Sequence, residues 1–186
     1  MRKRIVMGLA LTSLLCGCVT STKYPANWAK PNAAIGDMEQ AIVGDYSCVG
    51  ELAIALPQIR KAYLVHYVED GSKVGSCDVV HMDRPEVGVL EMTFYRNDRL
   101  IKRLRFVAGE DYRLENGWLV FNRKIDGVNR DGILAVSAER KSLTVSTSDD
   151  LIIKSSGMGT GLAFLIPVVA GTTNWLKFEQ VPCNHR

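Results

Sequence analysis

Five cysteines and three histidines are the side chains best able to do chemistry in this chain of 186 residues. A thiol becomes a nucleophile only when a nearby base or cation favours its thiolate. Cys48, Cys77 and Cys183 would therefore need His66, His81 or His185 beside them, and no spacing supports such a pair. There is no paired-histidine helix, no Gly-x-Ser-x-Gly elbow and no carboxylate pair set apart by its spacing. Asp126-Gly127-Val128-Asn129-Arg130-Asp131-Gly132 has the composition of a calcium loop, yet Val128 and Arg130 stand where oxygen ligands are required, so a polar turn is expected. Gly159-Thr160-Gly161 lacks the lysine and the strand-to-helix context of a phosphate loop. No metal, cofactor or catalytic residue is expected. The one enzymatic alternative is a hydrolase whose site is assembled from residues distant in sequence.

The first residues have a different chemistry. Met1-Arg2-Lys3-Arg4 is a basic head, and Ile5 to Leu15 is almost wholly apolar. That stretch is too short for a transmembrane helix, which needs about 20 residues, and it has the layout of a secretion signal. The following Leu15-Cys16-Gly17-Cys18 resembles the lipobox of bacterial lipoproteins, with an apolar residue at minus three, a small one at minus one and cysteine after the cut. The resemblance implies removal of residues 1–17, a diacylglycerol on the Cys18 sulfur and an acyl chain on its new amino group. Each buried methylene contributes about 0.8 kcal/mol, so several long chains form a stable membrane anchor. Val19 follows, where members retained in the inner membrane often carry aspartate. An outer-membrane location with the domain facing the periplasm is thus implied.

This cleavage changes the charge balance. Of 23 basic residues Arg2, Lys3 and Arg4 are lost, leaving 20 against 20 acidic ones, so the net charge of +3 resides in the signal. A neutral mature domain is no argument for nucleic acid. Cys16 leaves with the signal and Cys18 is consumed by lipid, so Cys48, Cys77 and Cys183 remain. In an oxidising compartment three thiols allow three single pairings. Cys48 with Cys77 is favoured, because both lie in patterned segments while Cys183 sits in a short tail.

The stretch Gly157 to Gly171 is apolar, uncharged, bracketed by glycines and interrupted by Pro167. Burying its seven large apolar side chains, at about 1.5–3 kcal/mol each, is worth more than ten kcal/mol that exposure would forgo. It therefore needs an apolar partner: the domain's own core, a bound lipid, the membrane or an envelope protein. A core strand or hairpin capping one end of the fold is the first expectation, and a membrane-touching or partner-docking loop, made mobile by Gly157 to Gly161, the second. Leu162, Phe164, Leu165, Ile166 and Val168 are the candidate contact residues. A second candidate is a basic stripe of Arg99, Lys102, Arg103 and Arg105 that could meet phosphate head groups, or be balanced by Glu91, Glu110, Asp111 and Glu115 on neighbouring strands.

The elements that must position these residues are strands. Residues 18–35 contain Pro25 and Pro31 and few aliphatic residues, and read as a lipidated tether, with Tyr24 and Trp28 loosely packed. Residues 36–186 form one domain, opening with a helical turn over Asp37 to Val43 that Gly44 ends. Beyond it come short runs rich in valine, isoleucine and aromatics: 46–56, 62–68, 77–82, 87–95, 100–107, 112–114, 118–123, 132–139, 142–147, 151–155 and 174–181. Asn116-Gly117 is the clearest hairpin turn. Arg96 to Arg99, Glu139-Arg140-Lys141 and Asp149-Asp150 are further ones. The expected fold class is all-β, an antiparallel meander closed into a barrel or packed as a two-sheet sandwich. Gly44-Asp45-Tyr46 before a strand, the meander and Trp175 near the end are loosely similar to lipocalin-like barrels, which implies a carrier of an apolar ligand. The leading expectation is a non-catalytic lipoprotein for envelope assembly or maintenance.

Overall fold

The structure is a computed structural model, and it describes residues 18–32, 36–53, 59–64, 76–122, 124–130, 133–163 and 166–182. The chain is all-β and sandwich-like, with two sheets facing one another. In chain order the elements are β1 (Cys18–Ser21), α1 (Met38–Ala41), β2 (Gly44–Ser47), β3 (Val49–Ala53), β4 (Ile59–Tyr63), β5 (Val79–Glu86), β6 (Val89–Arg96) and β7 (Arg99–Val107). There follow β8 (Tyr112–Glu115), β9 (Trp118–Phe121), β10 (Lys124–Arg130), β11 (Ile133–Val145), β12 (Leu151–Ala163) and β13 (Ile166–Phe178). The small sheet runs β2-β5-β6-β7 and is antiparallel throughout. The large one runs β4-β3-β13-β12-β11-β9-β8, with β10 added along β11 and β1 added parallel to β13. No closed barrel forms among the described residues.

Alternation explains the interior. Directly paired residues share a face, so Leu143, Ile153 and Leu176 stand in one row across β11, β12 and β13, with Leu151 and Phe178 in the next. They meet Tyr46, Val80, Met82, Leu90, Met92 and Phe94 of the small sheet in the main apolar core, which Met38 and Ile42 of the helical turn close at one edge. Trp28, Ala53 and Ile152 form a smaller cluster, with Tyr24, Trp118 and Trp175 packed against it. Asp37 caps that turn by accepting the Gln40 N–H at 3.1 Å.

The sheets join at a corner. Cys48 sits between β2 and β3, its N–H donating to Asp78 O and its carbonyl accepting from Leu64 N–H, both at 2.9 Å. A disulfide ties Cys48 to Cys77, with Cα atoms 5.7 Å apart. Past β13 the chain bends onto the small sheet, where Ser47 N–H donates to Glu179 O and Val181 N–H to Asp45 O, each at 2.9 Å. Gly50 lies at the tightest crossing: a Cβ there would fall onto the Lys177 carbonyl oxygen and the Phe178 ring.

Several boundaries differ from those expected. Asn116 (φ 50°) and Gly117 (φ 76°) form the two-residue hairpin turn between β8 and β9, and Asn97 and Asp98 form a similar one. Glu139-Arg140-Lys141 is no turn, because β11 runs through it unbroken for 13 residues. Its charged side chains are matched: Arg140 with Glu115 and Glu139 with the Ser155 hydroxyl across strands, and Glu139 with Lys141 along β11 itself. Asp126 to Arg130, expected in a polar turn, belongs to β10. The glycine-rich stretch is a hairpin, 151–163 paired with 166–178, whose arms run on beyond the core.

Residues 18–32, expected to stand off as a tether, lie on the domain instead. Val19 pairs with Gly171 in parallel register, as Thr20 does with Thr172. Trp175 donates its indole N–H to Thr22 O at 2.9 Å, Tyr24 packs edge-on to Trp175 at 5.1 Å, and Trp28 is buried. Residues 1–17, Cys183, His66 and His185 lie outside the described residues.

Candidate functional site: the outer face of the long strands

At about 3.3 Å per residue the 13-residue strands β11, β12 and β13 are each roughly 43 Å long. Only one end of them covers the core. The pairing of β9 reaches β11 at Ser142 and Leu143, and that of β3 reaches β13 at Trp175 to Lys177. Beyond those points the strands continue as a blade edged by β10 on one side and β1 on the other.

Register assigns the faces of this blade. Ala138, Met158, Gly171 and Val19 form one row, joined by Ile125; Val136, Thr160 and Val169 form the next; Leu134, Leu162 and Pro167 the last. These rows continue the face opposite the core, the one bearing Ser142, Lys154 and Trp175. In these rows Val19 is 70%, Ile125 66%, Leu134 56% and both Val136 and Met158 54% exposed. The face continuing the core has the small residues Ala135, Ser137, Gly157, Gly159, Gly161 and Ala170 at its centre, together with Lys124, Asp126, Glu139, Thr172 and the exposed Val168. An apolar surface of this extent on one side of a sheet marks a contact site.

Polar and aromatic groups border it. Arg113 and Arg140 both pair with Glu115, the latter at 2.5 Å, and the two guanidiniums hold that carboxyl below its usual range, Arg113 contributing most. Trp118 and Trp175 stand 6.0 Å apart, and the Lys154 ammonium lies 5.3 Å from the centre of the Trp175 ring. One shallow groove of about 520 Å³ includes Val19, Ala138, Met158, Arg113, Arg140 and Ser156; a second, of about 560 Å³, shares Arg140 and Ser156 and runs on to Trp118, Lys154 and Trp175. Read along the strands, the surface passes from apolar through cationic to aromatic.

Of the residues expected at the site, Leu162 stands on this outer face and Val168 on the other. Ile166 opens β13, and Phe164 and Leu165 lie outside the described residues. Cys18 occupies the register position opposite Ala170, at the edge of the blade and on the face away from the apolar rows. The basic stripe of β7 is largely neutralised: Arg103 meets Glu91 at 3.2 Å and Arg105 pairs with Glu86. His81 donates to or accepts from the buried Asp45 at 2.7 Å, an arrangement with no cysteine in it. Among the described residues no cluster of His, Cys, Asp and Glu could hold a metal ion, and no helix is long and apolar enough to cross a membrane. Val19, Ile125, Val136, Met158 and the Trp118–Trp175 pair were not singled out by sequence. Their signal was the period-two pattern Gly-Met-Gly-Thr-Gly-Leu at 157–162, where glycine takes one face and larger residues the other. Comparison with known proteins brings no match: no family model, no curated protein and no solved structure is similar to the chain.

Proposed function

We propose that the chain is a lipid-anchored, non-catalytic protein of the outer membrane, its domain on the periplasmic side, that acts in envelope assembly or maintenance through surface contact. The observation that carries this reading is the solvent-open apolar face of the blade, with Cys18 in register at its edge. A lipocalin-type carrier would enclose its ligand in a barrel. Here the sheets remain open, the space between them is filled by Tyr46, Phe94, Met92, Leu143 and Phe178, and the grooves lie outside on the blade. Surface contact is therefore favoured over internal carriage. Intact mass of the mature protein tests the anchor: the wild type is expected to begin at Cys18 and carry acyl chains, and Cys18→Ser to lose them and leave the membrane fraction. Equal N-terminal masses for the two would refute it.

A further inference from the structure

We infer that the occupant of the blade's outer face is the anionic bilayer leaflet that holds the anchor, so that the domain lies on the membrane along β11, β12 and β13 instead of hanging from it. This rests on the lipid-anchor reading above.

Three observations point to lipid. The first is absence of slack. A lipidated residue at the end of a flexible tether would leave the domain free to turn, but Cys18 is already in strand register with Ala170, and Val19 with Gly171. Adjacent Cα atoms are about 3.8 Å apart, so an anchor at position 18 holds this edge of the blade, with the exposed Val19 next to it, at the bilayer, although Cys18 and Val19 register on opposite faces of the sheet. The membrane boundary is thereby brought to the blade.

The second is the sequence of chemistries along the surface. Ile125, Leu134, Val136 and Met158 supply the apolar end, Arg113 and Arg140 the cationic middle, and Trp118, Trp175 and Lys154 the aromatic border. Aromatic rings with an apolar body and polar edge settle at the head-group level, and lysine and arginine meet lipid phosphates. Two arginines and a lysine against the single Glu115 make this zone positive, although the mature chain as a whole is neutral.

The third is asymmetry. The blade's other face sets the charged Lys124, Asp126 and Glu139 and the polar Thr172 among its glycines, alanines and serine, with Val168 exposed further along it. The outer face has no charged residue in its three apolar rows, as for a sheet resting on a surface. Spanning is disfavoured, because β10 pairs only with β11 among the described residues and its outer backbone groups would be unsatisfied in hydrocarbon.

The test uses the full chain, processed and reconstituted in vesicles of phosphatidylethanolamine and phosphatidylglycerol, with an environment-sensitive fluorophore on Val136→Cys in a Cys183→Ser background. The same label on Val87→Cys, an exposed position in the small sheet's hairpin, is the control. The label at 136 is expected to shift to the blue and be quenched several-fold more by lipids carrying a shallow spin label than the label at 87. The unlipidated Cys18→Ser protein is expected to bind phosphatidylglycerol vesicles at least tenfold more tightly than phosphatidylcholine vesicles, and Met158→Glu with Val136→Glu to abolish that binding without lowering the melting temperature. An acylated N-terminus with the label at 136 still in water overturns the inference and spares the anchor. A label shielded yet indifferent to the lipid quencher puts a second copy or a protein partner on the face and also overturns it. An unacylated N-terminus overturns the anchor and this inference together.

Discussion

Tyr46 and Tyr112 are the two largest fully buried side chains among the described residues, and each spends its hydroxyl on a short segment around the helical turn. Tyr46 donates to Ile42 O at 3.2 Å, and Tyr112 donates to the buried Glu39 carboxylate at 2.9 Å, whose other oxygen accepts Gly88 N–H at 3.0 Å. Burial first, then the neighbouring acidic charges, pushes both phenols well above their ordinary value of 10. The folded state thus favours the protonated tyrosine. That contribution is complete below the unfolded value and is lost as the pH rises past about 10, where unfolded tyrosines ionise. Chemical denaturation followed from pH 8 to 12 is expected to show stability falling steeply above pH 10, with absorbance at 295 nm showing both phenols ionising only as the chain unfolds. Tyr112→Phe is expected to cost about 1–3 kcal/mol at neutral pH, because Glu39 is left buried without one donor. None of this was legible in sequence: Glu39 and Tyr112 are 73 positions apart.

At the scale of elements, turns were readable and strand lengths were not. Asn116-Gly117 announced its hairpin because two consecutive positive φ angles suit few other dipeptides. Glu139-Arg140-Lys141 looked like a loop for its charge, yet it lies where β11 leaves the core, and charged side chains there are met by Glu115 and Ser155. The glycines of 157–161 stay in a strand because alternate glycine weakens a strand's own preference but not one held by long partners on both sides. Gly50 was not noticed at all, because its requirement is imposed by β13 crossing above it. Gly50→Ala is expected to destabilise the domain by at least about 2 kcal/mol, as the Cβ must push β3 off the Lys177–Phe178 backbone. Urea denaturation would register this; a change under about 0.5 kcal/mol would mean that the crossing is looser than the coordinates show.

For the molecule as a whole, the corner joining the two sheets is pinned by Cys48–Cys77, a closure over 29 positions. In the chain-entropy model such a loop contributes roughly 3.5 kcal/mol through the unfolded state. Cys48→Ala with Cys77→Ala, or reduction of the wild type, is accordingly expected to lower the melting temperature by roughly 10 °C, measured by circular dichroism. Reduction should leave the distal blade's strand pairing intact, because β10 to β13 hold one another by a ladder that does not pass through the corner.

By itself the sequence determined what is local: a strand-rich chain, its tight turns, the helical turn that Asp37 caps, and an apolar stretch that must find a partner, since alternation, φ preference and hydrophobicity act over a few residues. Only the tertiary structure decided that the sheets stay open and pack face to face, that residues 18–32 lie on the domain, and that Met158, Val136, Ile125 and Val19 share one exposed face. The reason is register: a strand's two faces are equivalent until its neighbours cover one of them, and those neighbours come from segments far away in the chain.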